Sequence, residues 1–125
     1  MSADRPTVLV VEDTADVRFV LAHMLEREGY RVLEASNGEL ALELLARQLP
    51  SLVLMDLAMP RLDGWSTLAR LRQLPGGTTL PVIAVTAHAM PGDRERAIER
   101  GFDEYVTKPL DLPGLLALVA RLLGR

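Results

Sequence analysis

Short apolar runs alternate with segments of helical periodicity from one end of the chain to the other. The apolar runs cover residues 8–11, 52–55, 82–85 and 105–107, and residues 30–35 alternate weakly between apolar and polar, as in a further strand. Runs of this length, bounded by turn residues, are typical of buried strands, and strands that are apolar on both faces are typical of parallel sheets. The pattern therefore predicts five buried strands separated by helices.

Apolar residues that recur every three or four positions follow each predicted strand, as expected for helices with one buried face. The stripes are Val17, Val20, Leu21, Met24 and Leu25; Leu40, Leu44 and Leu45; Leu68 and Leu71; and Leu115 to Leu123. We expect Gly29 to end the first helix, Ser36 and Glu39 to form a capping box for the second, and Asp111 to begin the last. Segment 92–100 has few apolar residues and predicts a weakly anchored fourth helix that ends at Gly101.

Strands that alternate with helices form right-handed βαβ units, which leave few possible topologies. We predict an α/β fold with a five-stranded parallel sheet in the order 2-1-3-4-5 and helices on both faces, which is a doubly wound, flavodoxin-like arrangement. One domain accounts for residues 1–125, and we expect no output domain.

Four of the apolar runs end in polar residues of different chemical types. Glu12 and Asp13 follow the first run, Asp56 the third and Thr86 the fourth, while Lys108 follows residues 105–107. Because the carboxyl ends of parallel strands meet at one edge of the sheet, we expect these side chains to converge. Clustered carboxylates need a cation, and Mg²⁺ suits a site that is completed by phosphate oxygens. Asp56 is the candidate nucleophile for phosphoryl transfer, because carboxylates can form aspartyl phosphates.

The composition excludes several other classes of protein. A net charge of −3 argues against direct binding of nucleic acid, and the chain has no cysteine for a disulfide, a thiol nucleophile or a zinc site. No apolar stretch is long enough to span a membrane, and no secretion signal is recognisable. We expect a cytoplasmic protein.

The motifs at the strand ends resemble those of receiver domains in the two-component response-regulator family, in particular the single-domain, chemotaxis-regulator-like members. The matching segments are Val8 to Asp13, Leu54 to Gly64, Val85 to Ala87 and Tyr105 to Pro109. The resemblance implies a signalling phosphoacceptor, not an enzyme with a separate substrate. Its partners would be a sensor histidine kinase or a histidine phosphotransfer protein, and a downstream protein target.

The resemblance also implies a role for each matching residue. Asp56 would be the phosphoacceptor, and Lys108, preceding a cis proline, would hold a phosphoryl oxygen. Asp13, Asp56 and the Ala58 carbonyl would bind Mg²⁺, with Glu12 acting through water. Thr86 would turn inward on phosphorylation and Tyr105 would follow from an exposed to a buried position, which would change the surface of the fourth helix, fifth strand and fifth helix.

Two positions that flank the path of the hydrolytic water in this family are occupied here by Ala58 and His88. The resemblance implies that they tune the lifetime of the phosphorylated state, in a direction that the residue types leave open.

Three other functions fit the sequence less well. A docking module that works without phosphorylation would be favoured if an acidic residue or Lys108 were missing, and none is. An aspartate-dependent phosphatase usually has a second aspartate where this chain has Ala58. A flavin-binding carrier would need a phosphate-binding loop of small residues after the first strand, and that loop is absent.

Overall fold

The computed structural model describes residues 5–87 and 89–125. Five strands and five helices alternate within these residues. In chain order they are β1 (Thr7–Val11), α1 (Ala15–Arg27), β2 (Arg31–Ala35), α2 (Gly38–Arg47), β3 (Leu52–Asp56), α3 (Gly64–Leu71), β4 (Val82–Thr86), α4 (Asp93–Arg100), β5 (Glu104–Thr107) and α5 (Leu112–Leu122).

The strands form one parallel sheet in the order β2-β1-β3-β4-β5, which confirms the predicted fold class and topology. The register aligns the carboxyl ends of neighbouring strands, since Val11 lies opposite both Ala35 and Met55. Asp56 lies opposite Val85, and Thr86 lies opposite Thr107. The polar residues that follow these strands therefore reach the same edge of the sheet.

Two apolar clusters cover the two faces of the sheet, because successive side chains of a strand point to opposite faces. One cluster joins Leu9, Val53 and Ala84 of the sheet to Ala41, Leu45, Leu68, Leu71 and Ala97 of α2, α3 and α4. The other joins Val8, Leu52 and Ile83 to Leu21, Leu25, Leu115 and Val119 of α1 and α5. Every residue of β3 and β4 is buried, as the continuous apolar runs predicted.

The ends of the helices agree with the sequence in most cases. Gly29 and Gly101 follow α1 and α4 with φ of 94° and 113°, a conformation that glycine adopts without a steric penalty. Asp111 caps α5, as predicted. The predicted capping box is wrong, because the Asn37 side chain accepts the Leu40 N–H at 2.9 Å and takes the capping position one residue later. Asparagine caps as well as serine does, and Glu39 is free to pair with Arg61 at 3.2 Å.

Two residues of the predicted apolar stripes are exposed. Val20 of α1 is 53% exposed and Leu40 of α2 is also on the surface, while the small residues Ala22 and Ala41 are buried in their helices. The stripes therefore identified the helices correctly but misplaced part of the buried face, because a close helix–sheet contact favours small side chains that hydrophobicity alone does not single out.

The helices are short. The longest, α1, has 13 residues, and a helix of this size spans about 20 Å, close to the length of a five-residue strand with its turns. No helix in residues 5–87 or 89–125 has the length and apolar character that crossing a bilayer requires.

Candidate functional site

Three carboxylates meet at the carboxyl edge of the sheet. Glu12 and Asp13 follow β1, and Asp56 is the last residue of the neighbouring β3. One carboxylate oxygen from each lies within 4.8 Å of the others. The structure thus brings together the acidic residues that the sequence predicted to converge.

Lys108 supplies positive charge to this group. Its Nζ lies 2.9 Å from Glu12 Oε1 and 3.6 Å from Asp56 Oδ2. The backbone holds the residue in place, because its N–H donates to the Thr86 carbonyl at 2.7 Å and its peptide bond to Pro109 is cis, as predicted.

Asp56 lies in an environment that opposes its charge. Its side chain has one hydrogen bond from the backbone, from the Ala58 N–H to Oδ1 at 3.1 Å, and the residue is 5% exposed. Burial and the nearby Glu12 carboxylate raise the pKa of Asp56 to about 6, against the opposing effects of the Ala58 N–H and Lys108.

Glu12 is more deeply buried than Asp56, with 1% of its surface exposed, yet its pKa shifts in the opposite direction. Burial alone would raise it, but the hydrogen bond from Lys108 and the Thr14 N–H to Oε2, at 3.1 Å, together hold the pKa of Glu12 below its ordinary value. The same pairing raises the pKa of Lys108 against the effect of its own burial. Lys108 and Glu12 therefore form a charged pair beside an aspartate that is less well compensated.

The donor set fits a hard divalent cation. Oxygen ligands from carboxylates are those that Mg²⁺ prefers, and a small number of them leaves room for water and phosphate oxygens. Three carboxylates face one lysine, so negative charge remains uncompensated, and the Glu12 carboxylate adds to the effect of burial in raising the pKa of Asp56. Ala58 contacts Asp56 through its N–H, and the predicted role of its carbonyl stays a prediction.

The two predicted switch residues lie on β4 and β5. Thr86 is buried at the carboxyl end of β4, next to Lys108. Tyr105 is 7% exposed, so the structure has the inward of the two positions expected for it. Its hydroxyl is buried without a hydrogen-bond partner among the described residues, and burial, followed by Asp93 and Glu95, raises its pKa.

Of the two positions predicted to tune the lifetime, Ala58 is exposed at the rim of the site. His88 lies outside the described residues, and the expectation for it stays a prediction.

Arginines hold the site and its surroundings in ways that the sequence did not reveal. Arg18 of α1 donates to the Glu12 carbonyl at 2.8 Å and to Glu34 of β2 at 3.2 Å. Arg94 of α4 donates to the Tyr105 carbonyl at 3.1 Å and to Glu104 at 3.2 Å. Both arginines lie on helices, and a count of charges gives no sign that their side chains contact the strands.

Sequence comparison identifies relatives of similar length and relatives that are about twice as long. The chain is 49% identical over 112 residues to an uncharacterized 14.6 kDa protein from Leptolyngbya boryana, an alignment that covers 90% of this chain and 86% of that protein. It is 38% identical to the probable transcriptional regulator ycf27 of Porphyra purpurea, where it aligns over its whole length with 50% of the relative. This chain thus spans about half the length of the second relative.

Solved structures agree with these relatives. The receiver domain of the sensor histidine kinase PA1611 from Pseudomonas aeruginosa, which has a magnesium ion coordinated in its active-site cleft, superimposes with a TM-score of 0.88 at 35% identity and covers 97% of this chain and 99% of that one. The family model for the response regulator receiver domain matches residues 8–120. The chain therefore belongs to the response regulator receiver domain family of two-component systems.

Proposed function

We propose that this protein is a phosphorylation-dependent signalling receiver that accepts a phosphoryl group on Asp56. The observation that carries the proposal is the convergence of Asp56 with Lys108, at 3.6 Å, and with the two carboxylates that follow β1. This combination offers a nucleophile, a cationic side chain and a place for a metal ion within one pocket. Transfer of a phosphoryl group needs mainly positioning and charge neutralisation, which such a pocket provides.

In the proposed reaction an Asp56 carboxylate oxygen attacks the phosphorus, and the bond from phosphorus to the donor breaks with its electron pair leaving on the donor. Lys108 moves from its bond with Glu12 towards one phosphoryl oxygen, and the Thr86 hydroxyl contacts another. Magnesium held by Glu12, Asp13 and Asp56, with the Ala58 carbonyl, would supply the remaining positive charge. The Ala58 N–H is already directed at the Asp56 carboxylate and needs no rearrangement.

Lys108 is suited to exchange partners in this way. Its ammonium makes a short contact to Glu12 and a longer one to Asp56, and 22% of its side chain is exposed. A phosphoryl group on Asp56 would bring more negative charge to the longer of the two contacts. The lysine can follow that charge with a small movement of a flexible side chain.

The proposed output is a change in the surface formed by α4, β5 and α5. Thr86 is the last residue of β4 and Tyr105 lies within the neighbouring β5. Helix α4 is anchored by few apolar residues, chiefly the buried Ala97. The Arg94 contacts to Tyr105 and Glu104 link the helix directly to β5. A shift of Thr86 and Tyr105 would therefore alter these contacts and the surface offered to a downstream protein.

The proposed donor is a phosphohistidine on a sensor kinase or a phosphotransfer protein. An apolar surface lies next to the pocket, where Phe19 and Val20 of α1 are 58% and 53% exposed. A groove of about 340 Å³ lies beside this surface, and its lining includes Val20, Lys108, Pro109 and Leu110. A protein that delivers a phosphoryl group to Asp56 has to cover the rim of this pocket, and an apolar rim favours a protein partner.

This docking role can be tested in a phosphotransfer assay. Substituting Phe19→Ala should slow labelling by the kinase that phosphorylates the wild-type chain fastest, by about tenfold, because an exposed aromatic anchor is lost. The rate of labelling by phosphoramidate should stay the same. The substitution Leu40→Ala removes an exposed apolar residue on α2 and is the matched control. Equal slowing by both substitutions would argue against a docking surface on α1.

The proposal treats residues 1–125 as one receiver unit that acts in the cytoplasm, where kinases have access to ATP. Ala58 leaves the rim of the pocket open, and together with His88 it is proposed to set how long the phosphoryl group survives. A docking module that ignores phosphorylation is the alternative, and it predicts partner binding that is the same with and without the phosphoryl group.

The proposal is tested by intact-mass spectrometry after incubation with phosphoramidate and Mg²⁺. The wild-type chain should gain the mass of one phosphoryl group, and the Asp56→Asn variant should gain none. A Glu43→Gln variant, changed at an exposed carboxylate on α2, should be labelled like the wild type. Labelling of Asp56→Asn to the wild-type level, or no labelling of the wild type, would refute the proposal.

A further inference from the structure

The loop between β1 and α1 carries two of the three carboxylates of the site. Glu12 and Asp13 lie in this loop, and Thr14 precedes α1 without capping it through its side chain. The Glu12 N–H donates to the Ala35 carbonyl of β2 at 3.0 Å, which fixes the beginning of the loop. Asp13 is exposed, so packing does little to hold its side chain. The position of the Asp13 carboxylate therefore depends on the backbone that carries it.

Arg18 of α1 holds this backbone at two points. Its guanidinium donates through Nη1 to the Glu12 carbonyl at 2.8 Å, and its own N–H donates to the Thr14 carbonyl at 2.9 Å. The Glu12 carbonyl belongs to the planar peptide group that joins Glu12 to Asp13. A donor that fixes this oxygen fixes the plane of the peptide group, and with it the point from which the Asp13 side chain extends.

The guanidinium is itself held in place by the neighbouring strand. Its Nε lies 3.2 Å from Glu34 Oε1 of β2, and only 15% of the Arg18 side chain is exposed. A guanidinium presents its N–H groups in fixed directions within one plane, so the bond to Glu34 also directs the bond to the Glu12 carbonyl. The Phe19 ring, 5.5 Å away, is largely exposed and adds a weaker contact.

We propose that Arg18 is a positioning residue for the magnesium site. By fixing the peptide group between Glu12 and Asp13, with Glu34 as its anchor, it raises the affinity of the site for the ion. The inference rests on the proposed function and identifies a residue on which the metal site of that function depends. Residues that orient metal ligands typically change the affinity by about 10–100-fold when they are removed, although they do not touch the metal ion.

The charge of Arg18 acts in the opposite sense to its positioning role. A positive charge beside the loop repels a divalent cation, so a pure charge effect predicts that Mg²⁺ binds more tightly once the arginine is neutralised. Loss of positioning predicts weaker binding. The sign of the change in affinity therefore separates the two explanations.

The test measures the Mg²⁺ dissociation constant by titration of the ¹⁵N-labelled chain, followed by its amide chemical shifts. Arg18→Gln should raise the dissociation constant about tenfold. Arg18→Lys should raise it at least about threefold, because an ammonium keeps the charge but lacks the planar array of donors. Arg27→Gln removes the same charge from an exposed position at the far end of α1 and should change it by less than about twofold.

The role of Glu34 is tested in the same titration. Glu34→Ala alone should weaken Mg²⁺ binding about threefold, because the guanidinium loses its anchor. In the Arg18→Gln background the same substitution should have no further effect, since the group that Glu34 orients is already absent. Equal effects in both backgrounds would mean that Glu34 acts through its own charge, and would overturn its role as the anchor.

Saturation with Mg²⁺ distinguishes positioning from damage to the fold. Labelling of Arg18→Gln by phosphoramidate should be slower than that of the wild type at low Mg²⁺ and should approach the wild-type rate when the site is saturated. A loss that persists at saturation, with an unchanged dissociation constant, would assign Arg18 a structural role and overturn the inference. The amide spectra show whether each variant is folded, and Arg18→Lys decides the question if Arg18→Gln is not.

The remaining outcomes separate this inference from the proposed function. Arg18 variants that bind Mg²⁺ as tightly as the wild type, or more tightly, would overturn the inference. If the wild type binds Mg²⁺ and is labelled at Asp56, the proposed function stands whatever the Arg18 variants do. If the wild type binds no Mg²⁺, the inference and the metal site of the proposed function have both failed.

Discussion

At the scale of single residues, Asp56 and Glu12 show how one pocket assigns different properties to two carboxylates. Both are buried, but Glu12 receives the short Lys108 contact and the Thr14 N–H, while Asp56 receives the long lysine contact and the Ala58 N–H. The pKa of Glu12 is lowered and that of Asp56 rises to about 6. Of these two carboxylates, Asp56, the proposed nucleophile, is thus the one whose charge the fold compensates less.

This difference makes Asp56 a source of instability when no cation is bound. The pKa of Asp56 rises from 3.8 to about 6 on folding, so the protonated side chain stabilises the folded state. This contribution is fully present below about pH 4 and is lost as the pH rises through about 6. At pH 7.5 without Mg²⁺, Asp56→Asn should raise the free energy of unfolding by up to about 3 kcal/mol. Urea denaturation at pH 7.5 and at pH 4 measures this effect.

The gain should disappear at pH 4 and should shrink when Mg²⁺ is added, because a bound cation favours the charged form of Asp56. The exposed Asp16, changed to Asn, provides the control and should give no such gain. An Asp56→Asn variant that is less stable than the wild type at pH 7.5 in EDTA would mean that the pocket stabilises the aspartate charge.

At the scale of elements, α4 is held differently at its two ends. The Arg72 guanidinium contacts the Gly101 carbonyl just after the helix. Nearer its start, the helix is joined to β5 through Arg94, which donates to Tyr105 and Glu104. The Arg94 side chain is largely exposed, so its ion pair is weak. The amino-terminal part of α4 is therefore the part that a change at Tyr105 can move most easily.

Hydrogen exchange measures this asymmetry. Arg94→Gln should speed amide exchange in α4 by at most about fivefold, since an exposed ion pair contributes up to about 1 kcal/mol. Arg121→Gln is the matched control, because Arg121 also binds Glu104, at 2.8 Å, but from α5. Exchange in α4 that responds equally to both substitutions would show that Glu104, and not the link through Arg94, sets the mobility of the helix.

At the scale of the whole molecule, Arg72 connects parts of the chain that are distant in sequence. Its guanidinium donates to three carbonyls and to the Asp103 carboxylate, and Asp103 in turn accepts the Val82 N–H at 2.8 Å. The three carbonyls belong to Gly77, Leu80 and Gly101. One side chain thus joins the end of α3 to the start of β4 and to the turn before β5.

Removing this side chain should destabilise the entire fold. Arg72→Gln leaves several carbonyls without a donor and Asp103 without its cation, which should lower the free energy of unfolding by about 2–4 kcal/mol in urea denaturation. The exposed Arg70, two residues earlier, should tolerate the same change with an effect of at most about 0.5 kcal/mol. Similar losses for both variants would assign the effect to helix propensity.

The sequence was sufficient for the fold and for the convergence of the site. Apolar runs identified all five strands, and the polar residues at their ends, from Glu12 to Lys108, meet as expected. The capping residue of α2 was missed by one position, because Ser36 and Asn37 are equally good caps and only the packing of the helix chooses between them. The roles of Arg72 and Arg94 were hidden for a similar reason, since their partners are backbone carbonyls that no residue pattern marks.

The most direct test of the central claim is to locate the phosphoryl group. The wild-type chain is incubated with phosphoramidate and Mg²⁺, then reduced with borohydride, which converts an aspartyl phosphate to homoserine, and its peptides are sequenced by mass spectrometry. The account predicts homoserine at position 56 alone, and none when EDTA replaces Mg²⁺. Homoserine at another aspartate such as Asp13, or none in the presence of Mg²⁺, would contradict it.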